Sequence, residues 1–393
     1  MKEAKFSGNQ SFLKELNLMS SLHIIRSKRL ISRAELADTL GLNRSTITAI
    51  INQLMEQDLV VEVGIGSSNG GRPPKLLQFN ADCAYVICID WTPEETRMHI
   101  TDLKGESYYS SAVPYDPKLP AKPQIEQVAA LLGKEYARLP AKTHQLLGLV
   151  IGVPGIVDRG IIHSYNLGWD EVPLADYFTA IFDCSIIIEN SAHIGLTAER
   201  HFGAGFGESN LCYIRLNQGI QAGILHHDRI YRGSEGFVGN IGHLVIERQG
   251  RKCICGNRGC LQTYASERAL LEDYISASGE TNATLHTLIQ RVRDNDATAV
   301  RCVHQFAEDL GTGIGSLINL INPGVMVIDT ALTPISGIIS QFLIPRINKA
   351  TLPFPRRNVR ILFSSLGEQA MAYGATAILL DRIFAPPQVV SLP

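Results

Sequence analysis

A chain of 393 residues, 45% hydrophobic and 19% charged, is too long for one ordinary core and reads as two or three domains of a globular protein. It has no run of about 18 apolar residues and no cleavable signal, which excludes a spanning helix and gives the cytoplasm as the expected location. Eight cysteines over this length exclude a dense disulfide framework, and the net charge of −2 by itself argues nothing about nucleic acid.

The distribution of charge says more. Residues 1–80 hold ten Lys/Arg against seven Asp/Glu, so a mildly basic head precedes an acidic body, as suits a small DNA reader attached to another domain. Leu13, Leu16, Leu18, Met19, Leu22 and Ile25 recur at helical spacing over 12–26. Ser32 followed by Glu35 is a capping box, and the helix it starts should stop at Gly41. Asn43 offers the next cap, and the helix over 44–55 buries Ile47, Ile50, Ile51 and Leu54. Two short strands at 59–63 and 75–79 follow, and the Gly64–Pro74 loop between them makes a wing.

Helix, glycine turn, helix and wing place polar groups of the second helix against base edges in the major groove. The candidate DNA-contacting set is Ser32, Arg33, Asn43, Arg44, Ser45, Thr46, Thr48 and Asn52, with Arg72 on the wing for the minor groove. A helical dimerisation module with a solvated polar face is the bland alternative. Caps, turn, wing and local charge all agree against it.

From Tyr85 the pattern changes to alternating strands and helices, with strands at 85–90, 97–102, 107–113, 147–153, 185–189, 211–216, 325–329 and 358–363. Helices are predicted near 124–138, from Ser191, over 297–320 and over 370–383. Such alternation implies an α/β body with mixed sheets. Within it, His243 stands ten residues ahead of Cys253, Cys255 and Cys260, with turn glycines at 256 and 259. Three thiolates and one imidazole suit tetrahedral Zn(2+), and no open position or adjacent base argues for catalysis, so the metal is expected to be structural.

Several motifs together resemble the ROK family (repressor, open reading frame, kinase). They are Pro154-Gly-Ile-Val-Asp158, Asn166-Leu-Gly-Trp169, Glu189-Asn190, Tyr231-Arg-Gly233, Gly242-His243 and the cysteine knot. The winged helix and Tyr264–Leu271 are most similar to the xylose-repressor branch. The resemblance implies a head over 1–80 and, over 81–393, a two-lobed actin-like (ribonuclease H-like) domain for sugar sensing and oligomerisation. Lobe one would span about 84–195 plus 370–393, lobe two about 196–369, with a sugar cleft between them, zinc beside it, and homodimers or tetramers.

The family's kinases carry an Asp-x-Gly-Gly-Thr loop, where this chain reads Asp90-Trp91-Thr92-Pro93. Their second glycine loop is Asn217–Gly223 here, their late glycine pair is Thr330-Ala331, and their catalytic carboxylate is Ser191. Phosphate cradle and base are both missing, so an enzyme is not expected. The resemblance places effector contacts at Asn166, Trp169, Glu189, Asn190, Ser191, His193, Asn240, His243 and Gln262. Ser191, Asn240 and Gln262 replace carboxylates. Three readings stay open: a neutral sugar with altered contacts, an anionic sugar, or a lost pocket with control by a protein partner. The functional expectation is a DNA-binding repressor of carbohydrate-utilisation genes.

Overall fold

Two side-chain caps build the head. Helix α1 (Gln10–Lys28) leads through β1 (Ile31–Ser32) into α2 (Arg33–Leu40). Ser32 Oγ accepts from the Glu35 amide at 3.2 Å, and the Glu35 carboxylate accepts from the Ser32 amide at 2.8 Å, a closed capping box. Gly41 ends α2 in the left-handed region at φ 65°. Asn43 Oδ1 then accepts from the Thr46 amide at 2.7 Å and starts α3 (Arg44–Glu56), which buries Ile47, Ile50, Ile51 and Leu54. Strands β2 (Val60–Ile65) and β3 (Lys75–Phe79) form the wing hairpin, and β1 adds a third strand beside β3 that periodicity did not foretell. The computed structural model describes residues 10–65, 73–158, 160–356 and 358–384, so the wing tip with Gly70, Gly71 and Arg72 lies outside the described residues.

The first half of the body is a five-stranded sheet in the order β11-β7-β4-β5-β6. Its strands are β4 (Tyr85–Trp91), β5 (Glu95–Thr101), β6 (Ser107–Pro114), β7 (Leu146–Val153) and β11 (Ser185–Asn190), with α4 (Ala121–Tyr136) in the crossover from β6 to β7. A small antiparallel sheet of β8 (Ile156–Asp158), β9 (Ile161–Ser164) and β10 (Trp169–Pro173) follows β7, then α5 (Leu174–Thr179). Strands of three to five residues in loop-like sequence have too little alternation to be read as strands. Helix α6 (Ser191–Phe202) leaves the end of β11.

The second half repeats the plan, in the order β14-β13-β12-β15-β16. Strands β12 (Leu211–Leu216), β13 (Ile220–His226) and β14 (Arg229–Ile230) form a meander. The cysteine loop follows, then α7 (Gln262–Ala265), α8 (Glu267–Ser278), α9 (Leu285–Arg293) and the long α10 (Ala297–Ile321). Strand β15 (Val325–Asp329), α11 (Ser336–Ala350), α12 (Pro353–Arg356) and β16 (Arg360–Phe363) complete it, and α13 (Ala370–Ile383) returns to pack on β4 and β7.

Helix α6 lies between the halves, packed on α13 to one side and on β12 and β13 to the other. The head is not a tethered bead. One continuous apolar core contains Leu22, Ile25, Ile47 and Ile51 of the head together with Cys88, Val150 and Leu379 of the body. Polar contacts reinforce the seam: Thr143 Oγ1 donates to Asp58 Oδ2 at 2.5 Å, and His144 Nε2 lies 2.6 Å from the Gln57 carbonyl.

Candidate functional site

On the head, α3 turns Arg44, Ser45, Thr48 and Asn52 to solvent, with Thr46 half-buried. Several of the candidate DNA contacts already have partners. Ser32 is 3% exposed and engaged in its cap, so its side chain belongs to the fold of α2 rather than to an outer face. Asn43 holds both the Thr46 amide and the Ser45 hydroxyl through Oδ1, and Thr48 Oγ1 bonds the Arg44 carbonyl at 2.8 Å. Arg33 donates to Asn52 Oδ1 at 3.3 Å and to Glu62 at 3.1 Å, which ties α2, α3 and β2 together. Arg44 extends from the first position of the helix as an exposed cation.

In the body, one pocket opens between the two sheets, with a cavity volume of about 130 Å³. Gly155, His163, Tyr165 and Asn166 line it from the first half, and Gln221, Asn240, His243 and Gln262 from the second. Four of the sequence candidates thus meet in one place, from positions as far apart as 166 and 262. His163, Tyr165 and Gln221 were not foreseen; His163 and Tyr165 come from β9 and the turn after it, and Gln221 from the start of β13, inside the Asn217–Gly223 segment read only for its lost glycines. Among the described residues, no carboxylate lines the pocket.

The orientation of two amides follows from their partners. Asn240 Nδ2 donates to the Phe237 carbonyl at 2.9 Å, and Gln262 Nε2 donates to Cys253 Sγ at 3.4 Å. Each amino end has one of its two hydrogens engaged, which orients the side chain and leaves the carbonyl oxygen for another partner. Each amide therefore retains one acceptor of the carboxylate it replaces and none of its charge. Asn166 Nδ2 and Gln262 Oε1 both lie 3.2 Å from where a Cβ on Gly219 would stand, so the bare glycine keeps a donor and an acceptor facing the same space.

The remaining candidates serve the frame around the pocket. Asn190 caps α6 through the Ala192 amide and donates to the Gly155 carbonyl at 2.8 Å, which fixes one pocket wall. Trp169 is 3% exposed, donates from its indole to Tyr115 Oη at 2.6 Å and meets Trp91 edge-on, so it packs beneath the Asn166 loop and is not among the residues that line the pocket. Glu189 is gripped by both terminal nitrogens of Arg232, at 2.9 and 2.5 Å, and lies 2.9 Å from His193 Nδ1. Burial would raise its pKa, but His193 and Arg232 outweigh burial and hold the carboxyl down at about 2. Glu189 is thus held as a carboxylate by Arg232 and His193 on the frame of the cleft.

Deeper in the cleft, Asp90 is fully buried and meets Arg215 of β12 in a two-point ion pair at 3.1 and 2.6 Å, while Ser191 Oγ donates to the same carboxylate at 3.0 Å. Arg215 escaped the sequence reading, although one signal existed. A lone arginine in the apolar strand Leu211–Leu216 must find a buried partner.

The cysteine loop brings His243, Cys253, Cys255 and Cys260 together, with one ligand atom from each within 4.8 Å of the others. Cys255 and Cys260 sulfurs are 3.8 Å apart, and Cys253 Sγ is 3.7 Å from His243 Nδ1. Two thiolates on one tetrahedral zinc would be about 3.8 Å apart, and a thiolate and imidazole nitrogen about 3.6 Å. The donor set therefore fits the ion, and a bonded S–S of about 2.05 Å is not present here. With Nδ1 turned to the sulfurs, His243 has Nε2 left for the pocket.

Glu267, at the start of α8, accepts from Thr330 Oγ1 at 2.6 Å and from the Ala331 amide at 2.7 Å. Burial pushes its carboxyl up from 4.5 to about 7, against the lowering effect of those two bonds. The folded state therefore holds a proton more tightly than the unfolded chain between these values. Its contribution to stability falls as pH rises through that window and levels off above it. Glu267→Gln keeps the acceptor oxygen and removes the titration. It should match the parent near pH 4.5 and exceed it by roughly 1–3 kcal/mol at pH 8 in denaturant melts; a constant difference across that range would refute the assignment.

The ROK family profile matches residues 86–382, and a profile described as winged helix-turn-helix DNA-binding matches residues 22–61. The xylose repressor of Bacillus spizizenii is 31% identical over 379 residues, covering 95% of this chain and 97% of its own. The N-acetylglucosamine repressor of Escherichia coli is 27% identical over 389 residues, covering 95% and 94%. Among solved structures, a ROK family transcriptional regulator described as a homologue of the E. coli MLC protein superposes with a TM-score of 0.79 at 23% identity, over 95% of this chain and 98% of that one. A ROK glucokinase from Streptomyces griseus, solved with glucose and AMPPNP, has a TM-score of 0.67 at 21% identity and covers 75% of this chain but 98% of its own, so the two share a fold. Profile, relatives and fold agree: the chain belongs to the ROK family, in the form that carries a winged helix-turn-helix ahead of the two-lobed domain.

Proposed function

We propose that this protein is a DNA-binding repressor of carbohydrate-utilisation genes whose grip on its operator is set by a neutral sugar between the two lobes. The observation that carries the reading is the pocket lining. Its two carboxylate-replacing amides offer carbonyl oxygens to sugar hydroxyls, Asn166 and His243 offer donors, and among the described residues no lysine or arginine lines it to counter an anion's charge. The kinship with repressors named for xylose and for N-acetylglucosamine supports the same ligand class. Residues 1–80 would read DNA, and the body would sense the sugar and form a homodimer or tetramer, so that two heads meet successive major grooves. Zn(2+) held by His243, Cys253, Cys255 and Cys260 would be structural, keeping Cys253 in place to orient Gln262.

Sugar kinase activity is not part of this reading. Arg215 neutralises Asp90 where phosphate chemistry would need an open carboxylate, Ser191 is no base near neutral pH, and Glu267 fills the Thr330-Ala331 turn. The solved ROK kinase covers only three-quarters of this chain, the share expected if it has no counterpart of the head.

Three measurements test the proposal. A thermal-shift screen followed by calorimetry should find binding among neutral pentoses and hexoses, D-xylose first, with about 2.7 kcal/mol of added stability at a hundred times the dissociation constant; a response confined to uronic acids or sugar phosphates would overturn the neutral assignment. Arg44→Ala should weaken binding to operator fragments selected from genomic DNA by about 1–3 kcal/mol while leaving the melting temperature of the body unchanged. Metal analysis of protein purified without chelator should return one zinc per chain, and its removal should lower the melting temperature. Undiminished stability after complete stripping would deny the ion a structural role.

A further inference from the structure

Helix α6 begins in the cleft and ends at the head. Its first turn carries Ser191, bonded to Asp90, and His193, set against the Glu189 carboxylate that Arg232 grips from the other lobe. Arg232 sits on a loop that leaves β13 and returns to it: the Tyr231 amide bonds the Ile224 carbonyl at 2.8 Å, and the Ala222 amide bonds the Gly239 carbonyl at 2.8 Å. The same loop ends at Asn240, a wall of the pocket. One short segment thus carries a pocket contact and the clasp onto lobe one.

At the other end of α6, His201 Nε2 lies 3.4 Å from Asp381 Oδ2. The second oxygen of Asp381 accepts from Arg26 of α1 at 3.3 Å. A single carboxylate on α13 is therefore shared between the helix that starts in the cleft and the first helix of the head. Between its two ends α6 is about 18 Å long and its first nine residues are buried. It has no slack against its neighbours. A Cβ on Gly374 of α13 would stand 2.1 Å from the Ile194 carbonyl, and one on Gly223 of β13 would stand 2.6 Å from the Ala192 carbonyl. Close backbone contact on both sides makes α6 move with both lobes or not at all.

We infer that His201, Asp381 and Arg26 are positioning residues that pass the state of the Arg232–Glu189 clasp along α6 to the DNA-binding head. The biological meaning of this relay rests on the functional reading above, with the cleft as sensor and the head as DNA reader. The mechanical coupling itself needs neither ligand nor DNA. Coupling is reciprocal, so a disturbance at either end should be felt at the other.

Hydrogen exchange of the full chain, without sugar or DNA, tests this. Arg232→Ala should speed exchange in α1 as well as in its own loop, and Asp381→Ala should speed exchange in the 231–240 loop as well as in α1 and α13. The distant effect should be roughly two- to thirtyfold. His201→Ala leaves the Arg26–Asp381 contact in place and removes the polar tie between α6 and Asp381, while the packing of α6 on α13 remains. In that background the effect of Arg232→Ala on α1 should be clearly smaller. Asp381→Glu should restore the parent pattern at the far loop, which a purely local packing role would not require. Should Asp381→Ala fail to fold, the His201→Ala and Arg232→Ala pair decides the matter alone. Effects confined to the element carrying each substitution, or an unchanged response of α1 in the His201→Ala background, would overturn the relay. Because no ligand enters the measurement, the exchange pattern tests the relay equally well if the sugar assignment fails.

Discussion

The buried ion pair between Asp90 and Arg215 is the constraint around which the body is arranged. Asp90 lies near the end of the central strand of one sheet and Arg215 in the central strand of the other, so the pair joins the two halves. Two charges removed from water are tolerable only with near-ideal pairing, and the two-point contact with a further bond from Ser191 supplies it. The pair therefore prescribes how the halves face each other. It also leaves the Asp90 carboxylate fully engaged within the protein, by Arg215 and Ser191.

A second carboxylate–guanidinium contact, Glu189 with Arg232, stands nearer the mouth of the cleft and is only partly shielded from solvent. The two pairs differ in kind. The inner one is dry and has every reason to persist, whereas the outer one is held by a loop whose far end lines the pocket. A ligand that draws on Asn240 acts on that loop directly, and differential contact of this sort is what a two-state response needs. Head and first lobe share one continuous apolar core, so they meet through packed side chains as well as through polar contacts.

The cysteine loop contributes to recognition through one bond. Cys253 takes the amino end of Gln262, and the Phe237 carbonyl takes that of Asn240, so the direction in which each amide faces is settled by its neighbours. Loss of negative charge at these positions leaves carbonyl acceptors that carry no charge of their own.

Much of the fold was legible in the order of residues because its signals are local. Caps at Ser32 and Asn43, the glycine at 41, the apolar stripe of α3 and the spacing from His243 to Cys260 act within a few turns of chain, and short-range stereochemistry decides them. The long buried strands declared themselves by apolar runs. The meeting of Asn166, Asn240, His243 and Gln262, placed beforehand by resemblance, required the packed lobes to become a pocket. Only the tertiary structure decided that Arg215 pairs with Asp90, that Arg232 pairs with Glu189, that the Trp169 indole bonds Tyr115, and that Asp381 lies between α6 and the head. Those contacts link residues tens to hundreds of positions apart, and a charge or an indole in sequence carries no mark of the partner that folding will bring to it. The chain thus declares by itself which local elements form and which ligand chemistry it owns; the choice of partners across the cleft belongs to the packing of two sheets around one helix.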